Sequence, residues 1–262
     1  MKTAIIGVGA IGGATVEGML KCPDTNPSEI TIADPSKAAL KRFEHTGVNM
    51  TTDNTEAVKG ADLVIIMVKP WFVEEVIKGI LPAIDLKEQI IVVVAAGVPS
   101  KSIIQWLDKG EWDTPRLVLA IPNTALAVRE SMTFLVPAGA TDSDVKQVAD
   151  LYEQLGQCII TEERLLAAGT TLASCGIAYA MRYVRAAIEG GVEIGFKAYD
   201  AEHIVMQTVK GAVCLLQETG EHPESAIDKV TTPGGVTIKG LNEMEHAGFT
   251  SSVIRGIKAG MG

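Results

Sequence analysis

The hydrophobic pattern of this chain changes character part-way along. Up to about residue 160, short apolar runs of strand length alternate with segments whose apolar positions recur every three or four residues. The runs predict strands at Thr3–Ile6, Glu29–Ala33, Leu63–Val68, Ile90–Ala95, Leu117–Ala120 and Met132–Val136, with Cys158–Ile160 closing the set. Helical patterns lie between them at Lys37–Thr46, Thr55–Lys59, Phe72–Leu81, Lys101–Leu107 and Thr141–Gly156, the last with Asp144 or Ser143 near its cap. Runs such as LVIIMV and IIVVVA leave no polar face, so both sides of the sheet must be covered. The first half therefore reads as α/β, a doubly wound and mainly parallel sheet.

After about residue 163 the strand signal ends. Leu165–Glu189 is one long segment of small and apolar residues, and Ala198–Thr219 follows with Asp200 as its expected N-cap and Gly220 just beyond its end. Ile204, Val205, Val209, Ala212, Val213 and Leu216 fall on one helical stripe, and Pro223 suits the first turn of a further helix. The expected division is thus a nucleotide-binding type sheet domain over 1–162 and an all-α domain over 163–262. Leu165–Glu189 is apolar on several faces, so it must be buried within its domain or against a second copy of it.

The first strand runs into G-x-G-x-x-G at Gly7, Gly9 and Gly12, and a helix-compatible segment follows. Strand, tight turn and helix in this order are what a dinucleotide site requires. Gly7 permits the turn, Gly9 lets the backbone approach a pyrophosphate, and Gly12 lets helix and strand pack closely. The helix start at Ala10 and Ile11 offers unpaired N–H groups to the phosphates. Asp34, at the end of the second strand, follows Gly12 by 22 residues, close to the roughly 20 expected of a ribose-binding carboxylate. That carboxylate favours NADH, whereas Ser36 and Lys37 directly after it suit the extra phosphate of NADPH; Arg42 lies farther along the predicted helix. The choice between NADPH and NADH stays open at this stage.

Charge and composition remove several other classes. A net charge of −9 with 5% aromatic residues argues against nucleic acid and an anionic membrane surface as partners. No apolar run approaches the roughly 20 residues that span a bilayer, and Gly7 interrupts the N-terminal stretch where a secretory signal would be continuous. Cys22, Cys158, Cys175 and Cys214 show no metal-ligand spacing, which suits a reducing, cytoplasmic setting and no metal. Loops at the predicted carboxyl ends of strands gather the polar residues: Val68–Lys69–Pro70, Ala96–Gly97–Val98 and Ile121–Pro122–Asn123–Thr124. A further loop, Thr231–Thr237, places two glycines between hydroxyls just before a helix. It is either a cradle for a small carboxylate or a plain linker.

These segments together resemble the pyrroline-5-carboxylate reductase family, essentially end to end. The matching motifs are GVGAIG, VKP at Val68–Pro70, AAGV at Ala95–Val98, IPNT at Ile121–Thr124, SCGIAY at Ser174–Tyr179, ETGEHP at Glu218–Pro223, TPGGVT at Thr232–Thr237 and MEHAGF at Met244–Phe249. The chain departs from the family pattern at Ala125, at Cys175 and Ile177, at Thr232 and at Val236.

The resemblance implies a Rossmann-type domain followed by an all-α dimerisation domain, and reduction of 1-pyrroline-5-carboxylate to L-proline by NADPH or NADH. By the same resemblance Thr237 hydrogen-bonds the substrate nitrogen and helps protonate it, and Thr232, Gly234 and Gly235 hold the carboxylate. Asn54, Val68, Lys69, Pro70, Ala96, Gly97 and Asn123 join Gly7, Gly9, Ala10, Ile11, Gly12, Asp34 and Ser36 on the cofactor side, with Lys69 in a positioning role. The implied assembly is a homodimer interleaved through the helical domain, with a higher homo-oligomer left open. Two alternatives remain at the level of sequence: a reductase of another cyclic imine, prompted by Cys175, Ile177 and Val236, and a nucleotide-binding regulatory protein without turnover. The histidines are scattered, and His222 before Pro223 reads as a turn or cap residue.

Overall fold

The computed structural model describes residues 1–108, 110 and 114–261. In chain order its elements are β1 (Thr3–Ile6), α1 (Ala10–Met19), β2 (Ile30–Ala33), α2 (Lys37–Lys41), β3 (Asn49–Thr51), α3 (Asn54–Val58), β4 (Leu63–Ile66), α4 (Val73–Ile80), β5 (Ile90–Val93), α5 (Ser100–Leu107) and β6 (Leu117–Ile121). β7 (Ser131–Pro137), α6 (Asp142–Glu153), β8 (Gly156–Ile160), α7 (Leu166–Gly169), α8 (Gly176–Glu193), α9 (Ala198–Thr219), α10 (Pro223–Lys229), α11 (Val236–His246) and α12 (Phe249–Ala259) complete it.

The strands form one sheet in the order β3-β2-β1-β4-β5-β6-β7-β8. All neighbours are parallel except β6 and β7, which pair antiparallel. β1, β4 and β5 are buried along their whole length, as apolar runs covered on both faces require. The period of two sorts their side chains. Ile5, Ile32, Ile65 and Val92 enter one core with Val16, Met19, Val148 and Tyr152 from α1 and α6. Ile6, Val64, Ile66 and Ile91 enter the other with Val73, Ile77, Ile80, Ile103 and Leu107 from α4 and α5. The doubly wound sheet read from the sequence is the architecture observed.

Several local expectations are corrected. β3 carries the polar sequence NMT at the sheet edge, mostly exposed, so no apolar run announced it. The cap of α6 is Thr141, whose hydroxyl and the Asp144 carboxylate form a reciprocal capping box. α9 starts after Lys197, and Asp200 lies in its first turn instead of capping it. His222 does cap α10, its Nδ1 accepting from the N–H of Glu224 at 3.3 Å.

The long segment from Leu165 is not one helix. A 3₁₀ turn leads into α7, a π-type turn spans Thr170–Cys175, and α8 begins at Gly176. The Thr170 hydroxyl donates to the carbonyl of Leu166 at 2.7 Å, a bond that loosens a helical turn. The Ser174 hydroxyl donates to the carbonyl of Pro122 at 2.8 Å and Asn123 Nδ2 to that of Ala173 at 3.4 Å. Those contacts draw the π turn toward the loop after β6.

The chain separates into two compact units, Met1–Ser174 and Cys175–Gly262. Residues 163–174 cluster with the sheet: Ser100 N–H donates to Glu163 at 2.7 Å, and Gly169 packs against the Phe134 ring, whose atoms lie 3.0 Å from where a Cβ would stand. Within the helical unit α8 packs on α9 and α11 on α12, and Tyr183 meets Phe249 edge to face at 6.4 Å. Ala201 alone is buried there among the described residues. No helix among the described residues is long and apolar enough to cross a membrane.

Candidate active site

Because β1, β2, β4, β5 and β6 run parallel, the loops that follow them open at one edge of the sheet, where open α/β folds place ligands. A cavity of about 530 Å³ lies at that edge. Gly7, Gly9, Ala10, Ile11, Asp34, Asn54, Val68 and Lys69 all line it. Gly12, Ser36, Pro70, Ala96, Gly97 and Asn123, also expected on the cofactor side, do not line it. Ser36 caps α2, its hydroxyl accepting from Ala39 N–H at 3.3 Å. The Asn123 side chain is committed inward, accepting from Ala125 N–H at 2.9 Å while donating to Ala173.

The three glycines differ in what limits them. Gly7 turns the chain at φ +90, and its N–H donates to the carbonyl of Ala33 at 2.8 Å. A side chain at Gly12 would lie 1.9 Å from the carbonyl oxygen of Gly7, so helix and turn touch backbone to backbone. A side chain at Gly9 would meet nothing within 4 Å; it would project into open space at the cavity wall.

Asp34 is fixed in place. Its two carboxylate oxygens accept from Val8 N–H and Ser36 N–H, both at 2.9 Å. Each oxygen keeps a second acceptor position for a hydroxyl. Arg42, which follows α2, closes back on the glycine loop. Its Nη2 donates to the carbonyls of Val8 and Gly9, the second at 2.9 Å. The guanidinium also lies 4.8 Å from the centre of the Phe43 ring and 3.8 Å from the Glu17 carboxylate. The Val8–Gly9 segment is thus gripped from both sides, by Asp34 on an N–H and by Arg42 on two carbonyls. Sequence spacing did not show this contact.

A dinucleotide fits these residues on three counts. Gly9 leaves room for a phosphate against the backbone, beside the N-terminus of α1. Asp34 presents free acceptor capacity to ribose hydroxyls. The Asn54 Oδ1 is buried in the cavity lining without a hydrogen-bond partner, an arrangement a ligand donor would complete. No group of His, Cys, Asp or Glu suited to a metal ion occurs among the described residues.

Thr232, Gly234, Gly235 and Thr237 come together in the helical unit. Gly234 takes φ +70, Gly235 N–H donates to the carbonyl of Thr232 at 2.9 Å, and Gly235 caps α11. Thr237 is the second residue of that helix, and it is exposed.

Comparison with known proteins bears on both halves. The family profile "NADP oxidoreductase coenzyme F420-dependent" matches residues 2–97, and "Pyrroline-5-carboxylate reductase dimerisation" matches 163–262. Pyrroline-5-carboxylate reductase 2 of Dictyostelium discoideum is 35% identical over 97% of this chain and 89% of its own length. The chain belongs to the pyrroline-5-carboxylate reductase family. Pyrroline-5-carboxylate reductase 1 of the same organism is 37% identical over 97% of this chain, which spans about half (47%) of that longer relative. The solved pyrroline-5-carboxylate reductase from Coxiella burnetii is similar at 27% identity with a TM-score of 0.87, covering 99% of this chain and 96% of that one. The reductase family accounts for the order of elements seen here, sheet unit first and helical unit second.

Proposed function

We propose that this protein reduces 1-pyrroline-5-carboxylate to L-proline, the last step of proline biosynthesis, as an NAD(P)H-dependent oxidoreductase acting on a CH–NH bond. The observation that carries the reading is the relationship over nearly the whole chain, which takes in the glycine loop and the Thr232–Thr237 loop alike. When bound, the reduced nicotinamide supplies a hydride to the imine carbon.

The chain's residues divide the remaining work. Gly9, Ala10 and Ile11 hold the pyrophosphate by backbone N–H groups, and Asp34 holds the ribose. Thr232, Gly234 and Gly235 hold the substrate carboxylate at the positive end of α11. The Thr237 hydroxyl donates to the ring nitrogen and keeps a proton there as the carbon is reduced. A protonated imine is already electrophilic, so orientation and exclusion of water supply most of the rate; no histidine is needed. Lys69 and Pro70 position the cofactor.

The fixed carboxylate of Asp34 supports NADH as a donor at least as good as NADPH, because a 2′-phosphate would meet a negative group that two N–H bonds hold in place. The protein acts as a homodimer in the cytoplasm, with its two functional parts at 1–162 and 163–262. The bare helical unit supports the dimer, and four free cysteines suit a reducing compartment.

Thr237→Ala tests the chemistry. It should lower kcat roughly ten- to a thousandfold while leaving NAD(P)H affinity, titrated separately, within twofold of wild type. A near-normal kcat would remove Thr237 from the proton path, and a rise in KM alone would move it to the carboxylate.

A further inference from the structure

The loop between β5 and α5 has little of its own to hold it. Val94 lines the cavity, and the chain then crosses Ala95–Val98 to reach Pro99 and α5. Ala96 and Gly97 are exposed, and Gly97 turns at φ +79. The backbone bond that closes the turn, from Val98 N–H to the carbonyl of Ala95, is long at 3.5 Å. The sheet fixes the near end, where Val94 N–H donates to the carbonyl of Ile66 at 2.9 Å.

The far end is the start of α5. Its cap residue is Pro99, whose side chain offers nothing to the N–H donors of the first turn. Glu163 supplies the acceptor from 63 residues farther along the chain. One carboxylate oxygen accepts from Ser100 N–H at 2.7 Å, and the other accepts from the Ser100 hydroxyl. The contact is half-buried, and it sets a negative charge at the positive end of α5. Leu166 packs against the same core as Ala95 and Val98. Polar and apolar contacts from one segment thus pin this end of the loop.

The strand order shows which half of a dinucleotide the loop would meet. The switch point lies between β1 and β4, and Asp34 follows β2 on one side of it. With the adenosine ribose on Asp34, the nicotinamide half extends over the ends of β4 and β5. We propose that Glu163 is a positioning residue, which caps α5 across the chain and so sets the Ala95–Val98 loop against the nicotinamide half of the cofactor. The proposal rests on the dinucleotide reading above. Because Glu163 acts through the loop, its loss should be felt by that half alone.

The test uses the full-length protein and compares reduced NAD with ADP-ribose, which lacks the nicotinamide ring. Binding of the first is read by nicotinamide fluorescence and of the second by calorimetry, both without turnover. Glu163→Ala should weaken reduced NAD about tenfold and leave ADP-ribose within about twofold of wild type. Glu163→Gln, whose amide can meet both Ser100 groups once the hydroxyl turns to accept, should bind reduced NAD within about threefold of wild type. Equal losses for the two ligands in Glu163→Ala, as a general loosening of the sheet unit would give, would overturn the role of Glu163. No loss for either would overturn it too, and both results leave the dinucleotide reading standing. If wild type binds neither ligand, the dinucleotide reading falls and the role of Glu163 with it.

Discussion

Gly9, Gly12 and Gly13 stand within five residues of one another, yet substitution at each should fail for a different reason. At Gly9 a side chain meets only open space at the cavity wall. Gly9→Val should therefore fold normally and lose dinucleotide binding, seen as an unchanged denaturation midpoint with no fluorescence titration. Gly12→Ala, by contrast, forces a methyl against the Gly7 carbonyl and should destabilise the sheet unit. At Gly13 a methyl would occupy the place of the Arg42 guanidinium, the end of a flexible side chain. Gly13→Ala and Arg42→Ala should then share one signature: KM for the cofactor raised about three- to tenfold, kcat within twofold, and no additivity when combined. Additive effects would show that Arg42 does not act through the loop. The glycines and Asp34 were legible in the sequence because backbone geometry and strand ends demand those residue types at those places. Arg42 was not, because it grips carbonyls, which every residue carries, and because α2 ends at Lys41 instead of running to Thr46. The unpartnered Asn54 oxygen was equally invisible, being a property of what surrounds it.

At the scale of elements, the apolar runs located every described strand except β3, whose short sequence is polar and mostly exposed. The break in the helical stretch after Leu165 was hidden for a related reason. Its causes are the back-bond of the Thr170 hydroxyl and the hydrogen bonding from Ser174 and Asn123 across the chain, neither of which interrupts the apolar pattern. One tie between elements gives a pH prediction. Arg116, just before β6, donates to Asp144 in the first turn of α6, with Nε at 3.1 Å. That hydrogen bond, aided by Thr141, holds the buried Asp144 carboxyl below the ordinary carboxylate range against the opposing effect of burial. A folded-state value below the unfolded one adds stability above the ordinary carboxylate range, and the gain is lost as pH falls through that range toward the folded value. Asp144→Asn should cost about 2 kcal/mol near neutrality, and the gap to wild type in denaturant titrations should close on acidification. A gap that stays constant with pH would show that the pair contributes through packing and capping alone.

For the whole molecule, the sheet unit has two closed cores, whereas the helical unit has almost none of its own. Ile194 and Tyr199 are 78% and 79% exposed, and Met181 is 64% exposed. So much apolar surface on adjacent helices marks an association face. The composition of Leu165–Glu189 called for burial within its domain or against a second copy, and α8 buries none of its residues within this chain. Sedimentation at micromolar concentration should give a dimer or a multiple of it, and Met181→Glu should shift the distribution toward monomer. A stable wild-type monomer would contradict the assembly. Catalysis itself is tested most directly by mixing the full-length protein with 1-pyrroline-5-carboxylate and either NADH or NADPH, following loss of the reduced nicotinamide absorbance and formation of proline together. One proline should appear for each reduced nucleotide consumed, with kcat/KM for NADH at least equal to that for NADPH. Tight nucleotide binding with no oxidation in the presence of the imine would contradict the account.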